Sequence, residues 1–357
     1  MTLATRIDGF VELGRKLSLL TAASNGSNPD ADEELLLLTK RIQDQNAWFT
    51  PSSVIRALEG ISSMLSEKLL RDWLEQYSIP ESEPLKTIGV IMAGNIPAVG
   101  FHDALCILIS GNRLKAKISS QDSVLIAYIL SLLTAAEPRF TDRIEITTGQ
   151  LKGIDAIIAT GSNNSSRYFE YYFGRYPNII RHNRNSAAVL HGAETREELE
   201  ELNKDIFTYF GLGCRNVSKL FIPMDYNFDS FFETAEKWSW LKDHNKYFNN
   251  YEYSKAVFLV NSIKHFDNGF LLVKEDSSLH SPVAVLHYER YENIDAVKMQ
   301  LLEQADNLQC VVSSAVTGIS GLTFGETQLP GPADYADGVD TMEFLLGIRV
   351  ASEITVV

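Results

Sequence analysis

The chain has 357 residues, more than one hydrophobic core usually holds, so two lobes are expected, or three. Hydrophobic residues at 45% and charged residues at 22% describe an ordinary globular protein. A net charge of −14 argues against a nucleic-acid partner, because phosphates need a basic face.

Residues 1–80 read as helices. "MTLATRIDGFVELGRKL" is amphipathic and charged throughout, unlike a secretory signal. In "FTPSSVIRALEGISSMLSEKLLRDWLEQY", Thr50 is placed to cap a helix and Pro51 to open it. "PESEPLK" is the best linker candidate. Beyond it come short β-rich runs, "KTIGVIMA", "NRLKAKI", "DRIEITT" and "DAIIAT". A helix, "SSQDSVLIAYILSLLTAAEP", is predicted between the second and third, capped by Ser119 or Ser120. Alternation of strand and helix predicts a parallel α/β sheet. "SAAVLH" adds a strand, and the helix "ETREELEELNKDIFTYF" follows. The second half repeats the pattern, with strands in "SKLFIP", "GFLLVKE", "VAVLHYE" and "QCVVSS" and helices near residues 229–243 and 293–305. The tail "RVASEITVV" alternates apolar and polar residues and reads as an edge strand, a reason to expect a homo-oligomer. The longest apolar run, "VLIAYILSLLTAA", is too short to span a bilayer unaided, so no integral membrane segment is expected.

The three cysteines, Cys106, Cys214 and Cys310, are far apart and form no CxxC pair. Neither a disulfide framework nor a cysteine-rich zinc site is expected, and a reducing cytoplasm fits. The seven histidines form no HExxH or HxH, so no metal is expected. A Ser-His-Asp triad lacks a GxSxG elbow.

Four stretches can carry chemistry. In "YFGLGCRNVSK", Gly211 and Gly213 clear side chains from around Cys214, and Arg215 supplies a positive charge that favours a thiolate. The alternative is a buried, inert thiol. In "IMAGNIPAVGFHD" a strand ends at Ala93, and Asn95 is placed to donate to a developing oxyanion, or simply to make a turn. No GxGxxG is present. Lys117 in "GNRLKAKISSQDS" ends a strand and suits a ribose or phosphate, or solvent alone. Gly161 and Ser162 in "IIATGSNNSS" suit a ligand's polar parts or a helix cap. A basic set, Arg167, Arg175, Arg181 and Arg184, suits a ligand's phosphates, or an ordinary solvated surface.

Taken in order, "GNIP", the "GN…K.SS" strand, "ATGS" and "GLGC" resemble the aldehyde dehydrogenase superfamily. More narrowly, the chain resembles the acyl-CoA reductase family typified by the luciferase-operon fatty acid reductase subunit (LuxC). The resemblance spans residues 85–345, with "AGNIPAVG" and "GLGCRNVSK" carrying most of it and "FGETQLPGPADYADGVDTMEFL" agreeing with the reductase branch. It implies an α/β, aldehyde dehydrogenase-like fold of two α/β lobes. The bounds expected are an N-terminal helical segment 1–84, a modified Rossmann cofactor domain 85–205, a catalytic domain 206–325 and a C-terminal return 326–357. It also implies that Cys214 is the nucleophile and that Asn95, with the Cys214 amide, forms the oxyanion hole. Lys117, Ser119 and Ser120 would lie at the cofactor's adenosine ribose, and Gly161 and Ser162 near its pyrophosphate.

Two departures stand out. The superfamily's glutamate base falls where this chain has Arg181 or His182, and no acidic residue lies between Glu170 and Glu194. The glutamate that binds nicotinamide ribose is replaced near Ser278 in "DSSLHSPVAVLHY". The resemblance therefore implies reduction of an acyl-CoA or acyl-carrier thioester to an aldehyde. NADPH is the expected donor and NADH the second choice, because Ser120 stands where NAD-preferring relatives carry a glutamate. An aldehyde dehydrogenase and a non-catalytic acyl-binding member are the alternatives.

Overall fold

The computed structural model describes residues 1–22, 29–81, 85–161 and 163–354. The chain forms two compact units, one of residues 1–183 with 330–357 and one of residues 184–329.

The first unit opens with α1 (Leu3–Ala22), α2 (Pro29–Gln45), α3 (Pro51–Met64) and α4 (Glu67–Leu74). As expected, Pro51 begins α3 and the Thr50 hydroxyl caps it, accepting the Ser53 N–H at 3.3 Å. Then come β1 (Thr87–Ile91), α5 (Phe101–Ile109), β2 (Arg113–Lys117), α6 (Ser123–Ala136), β3 (Ile144–Ile146), β4 (Ala156–Thr160), α7 (Asn163–Phe173) and β5 (Asn178–Arg181). The strands pair in parallel in the order β3-β2-β1-β4-β5. β1 and β4 are near-continuous apolar runs because a parallel sheet is covered on both faces. The order reverses between β1 and β4. Loops leaving their carboxyl ends diverge there, and ligands of open α/β sheets gather at such a point.

The expected separation of 1–84 as its own segment is not seen. Phe10, Leu13 and Leu17 of α1 are fully buried in one core with α3, α5 and α6. Phe10 packs edge-on against Phe140, centroids 5.4 Å apart. These helices share the core of the sheet. The "PESEPLK" linker lies partly outside the described residues, at 82–84.

The second unit contains β6 (Asn185–Val189), α8 (Arg196–Phe207), β7 (Val217–Pro223), α9 (Asp229–Ala235), α10 (Asn245–Val260), β8 (Phe266–Asp267), β9 (Leu272–Glu275), β10 (Val285–Tyr291), α11 (Ile294–Glu303) and β11 (Leu308–Ser313). Its sheet runs β11-β6-β7-β10-β9-β8, parallel except for β8. The boundary between units falls between Asn183 and Arg184, not at 205/206. The cause is strand pairing, since β6 adds to β7 and β11 and not to β5. β5, α10 and the short β8 were not foreseen.

After residue 329 the chain belongs again to the first unit and ends in α12 (Thr341–Ile354). This corrects the expected C-terminal strand: through Ile354 the tail "RVASEITVV" is helical, and 355–357 lie outside the described residues. Met342, Leu345 and Ile348 recur at helical spacing and are buried, and that period carries the helix forward. The strand edge on which a homo-oligomer was expected is thereby lost. The return segment is tied to α4 by the Trp73 indole N–H, which donates to the Tyr335 hydroxyl at 2.8 Å, and to the turn after α4 by the Tyr77 hydroxyl, which donates to Asp340 at 2.6 Å. Tyr335→Phe should leave the indole without its acceptor and cost about 1–3 kcal/mol in urea unfolding.

Candidate active site

In the first unit the candidate cofactor residues share one edge of the sheet. Ile91 of β1 lies in register with Lys117 of β2 on one side and Ala159 of β4 on the other. The loops that follow therefore leave side by side. At Gly94 a side chain is excluded, because a Cβ would stand 2.5 Å from the Ser119 Oγ. Ser119 thus braces the β1 loop. Its hydroxyl accepts the Gln121 N–H at 3.2 Å, and neither Ser119 nor Ser120 caps α6, whose N-cap is Asp122. Asn95, Lys117 and Ser120 are exposed. The Ser120 carbonyl is held by the Gln45 amide at 2.6 Å. Lys115 is not available to a ligand phosphate, since it pairs with Glu145 at 2.9 Å. Gly161 follows β4, and a Cβ there would press on Ser165 and Phe169 of α7 at 2.8 and 2.9 Å. Ser162 lies outside the described residues.

Asp122 is 2% exposed, and burial pushes its carboxyl up from the ordinary 3.8 to about 8, opposed by a hydrogen bond from the Ala98 N–H.

In the second unit, Cys214 is exposed, whereas Cys106 and Cys310 are buried. Burial holds the Cys106 thiol well above its ordinary pKa, so it stays protonated and inert. Cys214 owes its exposure to the way α8 ends. Tyr209, Phe210 and Gly211 all take the left-handed conformation, with φ of 53°, 60° and 74°. For the two aromatic residues this is strained. Phe210 is held by burial, its ring 4.3 Å from His244 and 5.9 Å from Trp240. Asn216 closes the turn. Its Oδ1 accepts the Gly213 N–H at 2.8 Å, and its own N–H donates to the Gly213 carbonyl at 3.0 Å. Its Nδ2 donates to the carbonyls of Asp205 and Thr208 at 3.0 and 2.8 Å, groups a helix end leaves unpaired. Cys214 and Arg215 are left at the apex.

The turn is also fixed from β6 and from residues 325–327. Ser186 donates to the Cys214 carbonyl at 2.9 Å and accepts the Cys310 N–H at 3.1 Å. The Asp205 carboxylate, raised in pKa by burial, accepts the N–H groups of Gly325 and Thr327 at 2.7 and 3.0 Å. Arg215 donates through Nε to the Thr327 carbonyl at 2.5 Å, so this arginine serves the fold as well as lying beside the thiol in sequence.

The residues at the departures have definite partners. Arg181 is buried and makes a two-pronged pair with Asp103 of α5, at 2.6 and 2.7 Å, with Thr341 at 3.3 Å. His182 is exposed, 3.7 Å from Glu170. The expected basic set is therefore dispersed. Arg181 is buried, Arg184 donates to the Leu308 carbonyl at 3.1 Å, and only Arg167 and Arg175 are exposed. The Ser278 N–H donates to Asp276 at 2.8 Å and its carbonyl meets His287 at 3.1 Å. Sequence reasoning missed Asn216, Ser186, Asp205 and Asp122. Asn216 lay inside a quoted motif, but nothing in the sequence marks its partners. Among the described residues no His, Cys, Asp and Glu group can hold a metal, and no helix is long and apolar enough to cross a membrane.

The family model for acyl-CoA reductase (LuxC) matches residues 33–232. No curated protein matches the chain. Among solved structures, aldehyde dehydrogenase 21 from Physcomitrella patens, in complex with the product succinate, aligns with a TM-score of 0.66 at 10% identity, over 98% of this chain and 85% of that one. Delta-pyrroline-5-carboxylate dehydrogenase from Mycobacterium tuberculosis gives 0.60 at 15% identity, over 98% and 77%. A mutant aldehyde dehydrogenase C from Pseudomonas syringae, in complex with NAD+ and octanal, gives 0.62 at 13% identity, over 88% and 73%. At such identities the likeness concerns the fold, which is aldehyde dehydrogenase-like.

Three outcomes follow from this geometry. Iodoacetamide should alkylate Cys214 in the folded protein and reach Cys106 and Cys310 only after unfolding, as read by peptide mass mapping. Asp103→Ala, which strands the buried Arg181 charge, should cost about 3–5 kcal/mol in urea unfolding. Finally, folding raises the Asp122 pKa from 3.8 to about 8, so the folded state holds the extra proton between those values. That contribution to stability is lost as pH rises through the same window. Asp122→Asn removes it, so the variant should gain on the wild type from about pH 4 to pH 8 and stay level above, in urea titrations across pH.

Proposed function

Since the chain belongs to the LuxC acyl-CoA reductase family, an oxidoreductase family acting on acyl groups, we propose that it reduces an acyl thioester to an aldehyde through a thioester on Cys214. The observation that carries this reading is the exposed thiol at the apex of a braced turn, with both other thiols buried. Acyl-CoA or an acyl-carrier thioester is the substrate class. Three free thiols suit a reducing, cytoplasmic setting.

Cys214 attacks the acyl carbonyl as its thiolate, and the substrate's own thiolate leaves and takes a proton. The family resemblance gives Asn95 and the Cys214 backbone amide the role of stabilising the oxyanion formed at attack. A reduced nicotinamide, when bound, would supply the hydride that converts the thioester to an aldehyde, the Cys214 thiolate leaving and regaining a proton. Lys117, Ser119, Ser120, Gly161 and Ser162 are the proposed cofactor residues. The donor set fits a dinucleotide phosphate and ribose: Lys117 and Ser120 are exposed at the carboxyl end of β2, beside β1, whose other neighbour β4 marks the reversal of strand order. Arg181 cannot act as a base for hydrolysis, because guanidinium stays protonated and this one is paired with Asp103. That favours reduction over aldehyde oxidation to the free acid.

NADPH is the proposed donor. Serine at 120 brings no charge against a 2′-phosphate, and the exposed Lys117 can attract it. Ser120→Glu should shift kcat/KM towards NADH; a wild type that already prefers NADH would overturn the preference.

Acyl-CoA without cofactor should add one acyl group, on Cys214, and NADPH should discharge it as aldehyde, both read by mass spectrometry. Cys214→Ala should abolish the adduct, and Asn95→Ala should slow its formation by about 10²–10³. Full activity in Cys214→Ala would end this reading.

A further inference from the structure

Asp122 stands at the N-cap of α6, where an aspartate ordinarily accepts an N–H of the helix's first turn. Here it makes no such bond. Its Oδ2 instead accepts the Ala98 N–H, at 2.8 Å, in the loop between β1 and α5. The Oδ1 has no hydrogen-bond partner, although the side chain is 98% buried by its 2% exposure. Burying a carboxyl this way is costly, and the helix forgoes a cap as well. What the arrangement secures is the conformation of Ala98.

Ala98 has φ 57°, in the left-handed region that costs a non-glycine residue about 1–2 kcal/mol. Its peptide is gripped on both sides. Asp122 takes the N–H, and the Ala98 carbonyl accepts the Phe101 N–H at 2.9 Å, starting α5. Four residues earlier Gly94 is wedged on Ser119. Asn95, Ile96 and Pro97 are thus the span between two fixed points, and both points rest on the turn Ser119–Asp122. That turn is itself closed by the Asp122 N–H donating to the Ser119 carbonyl at 3.1 Å.

We propose that Asp122 is a positioning residue that sets Asn95 for acyl transfer by clamping the β1–α5 loop to the β2–α6 turn. The proposal rests on the oxyanion role given to Asn95 above. The raised pKa of the carboxyl agrees with it: near neutral pH Asp122 is mostly uncharged, and an uncharged carboxyl oxygen is a sufficient acceptor for one N–H. Asparagine offers the same acceptor at the same reach. Serine caps α6 well but is shorter by one bond and does not reach Ala98.

The test measures the single-turnover rate of Cys214 acylation by acyl-CoA, without nicotinamide, in the full chain. Asp122→Asn should stay near the wild-type rate. Asp122→Ser, which keeps the helix capped and so keeps the protein folded, should slow acylation by about 10²-fold, the scale of an ångström misplacement. In the Asn95→Ala background Asp122→Ser should add little, because the group it positions is gone. A general loss of structure would instead slow both backgrounds alike. If Asn95→Ala is slow but Asp122→Ser acylates at the wild-type rate, or if the two losses multiply in full, the proposal is overturned and the Asn95 role stands. If Asn95→Ala acylates normally, the Asn95 role fails and the proposal fails with it.

Discussion

A parallel sheet covered on both faces has no side-chain surface to offer a ligand, and this constraint governs the first unit. Residues 156–159 of β4 are all buried, as are Ile88 and Val90 of β1. Chemistry is therefore confined to the strand ends, where backbone and loop side chains meet solvent. Each loop there is then fixed by a contact that tolerates little change: Gly94 against Ser119, Gly161 against Phe169, Ala98 on Asp122. The exposed candidates, Asn95, Lys117 and Ser120, stand on a base set by these contacts.

The second unit meets the same need at the amino end of β7. Two aromatic residues in left-handed conformation cost about 1–3 kcal/mol each. Full burial of a ring such as Phe210 returns about 1.5–3 kcal/mol. The remainder falls to hydrogen bonds, and Asn216 supplies several at one point. It joins the end of α8 to the glycine before Cys214, so the helix end and the thiol turn form one cooperative piece. The Asp205 and Ser186 contacts extend that piece to residues 325–327 and to β6.

What the sequence made legible was local. Strand runs and the Thr50 cap follow from patterns within a few residues, whereas the stretch around Cys214 left an exposed and a buried thiol both open until the structure exposed it. What it hid was choice of partner. β5 and β6 are separated by three residues yet join different sheets, and only distant strands decide that. Arg181 reads as a surface cation until Asp103, 78 residues away, is beside it. The tail misled because "RVASEITVV" alternates by chance, while the helical period that governs it begins upstream at Met342. α10 was missed because "NKYFNNYEYSKAVFLV" spreads aromatic residues around the whole helix and shows no single apolar face.

The Arg181–Asp103 pair bears on the direction of the chemistry. A buried ion pair is held by mutual need, since removing either partner strands the other's charge in a dry interior. Arg181 cannot swing out without stranding Asp103, and its Thr341 contact ties it to the return segment as well. The position where the family resemblance puts the glutamate of oxidising members is thus given to structure. Of the two residues there, only His182 can take a proton, and it is exposed beside Glu170, in solvent. Arg181, fixed as a cation by Asp103, cannot activate water for hydrolysis. A thioester is already activated towards hydride, so reduction needs no such base, whereas hydrolysis at neutral pH does.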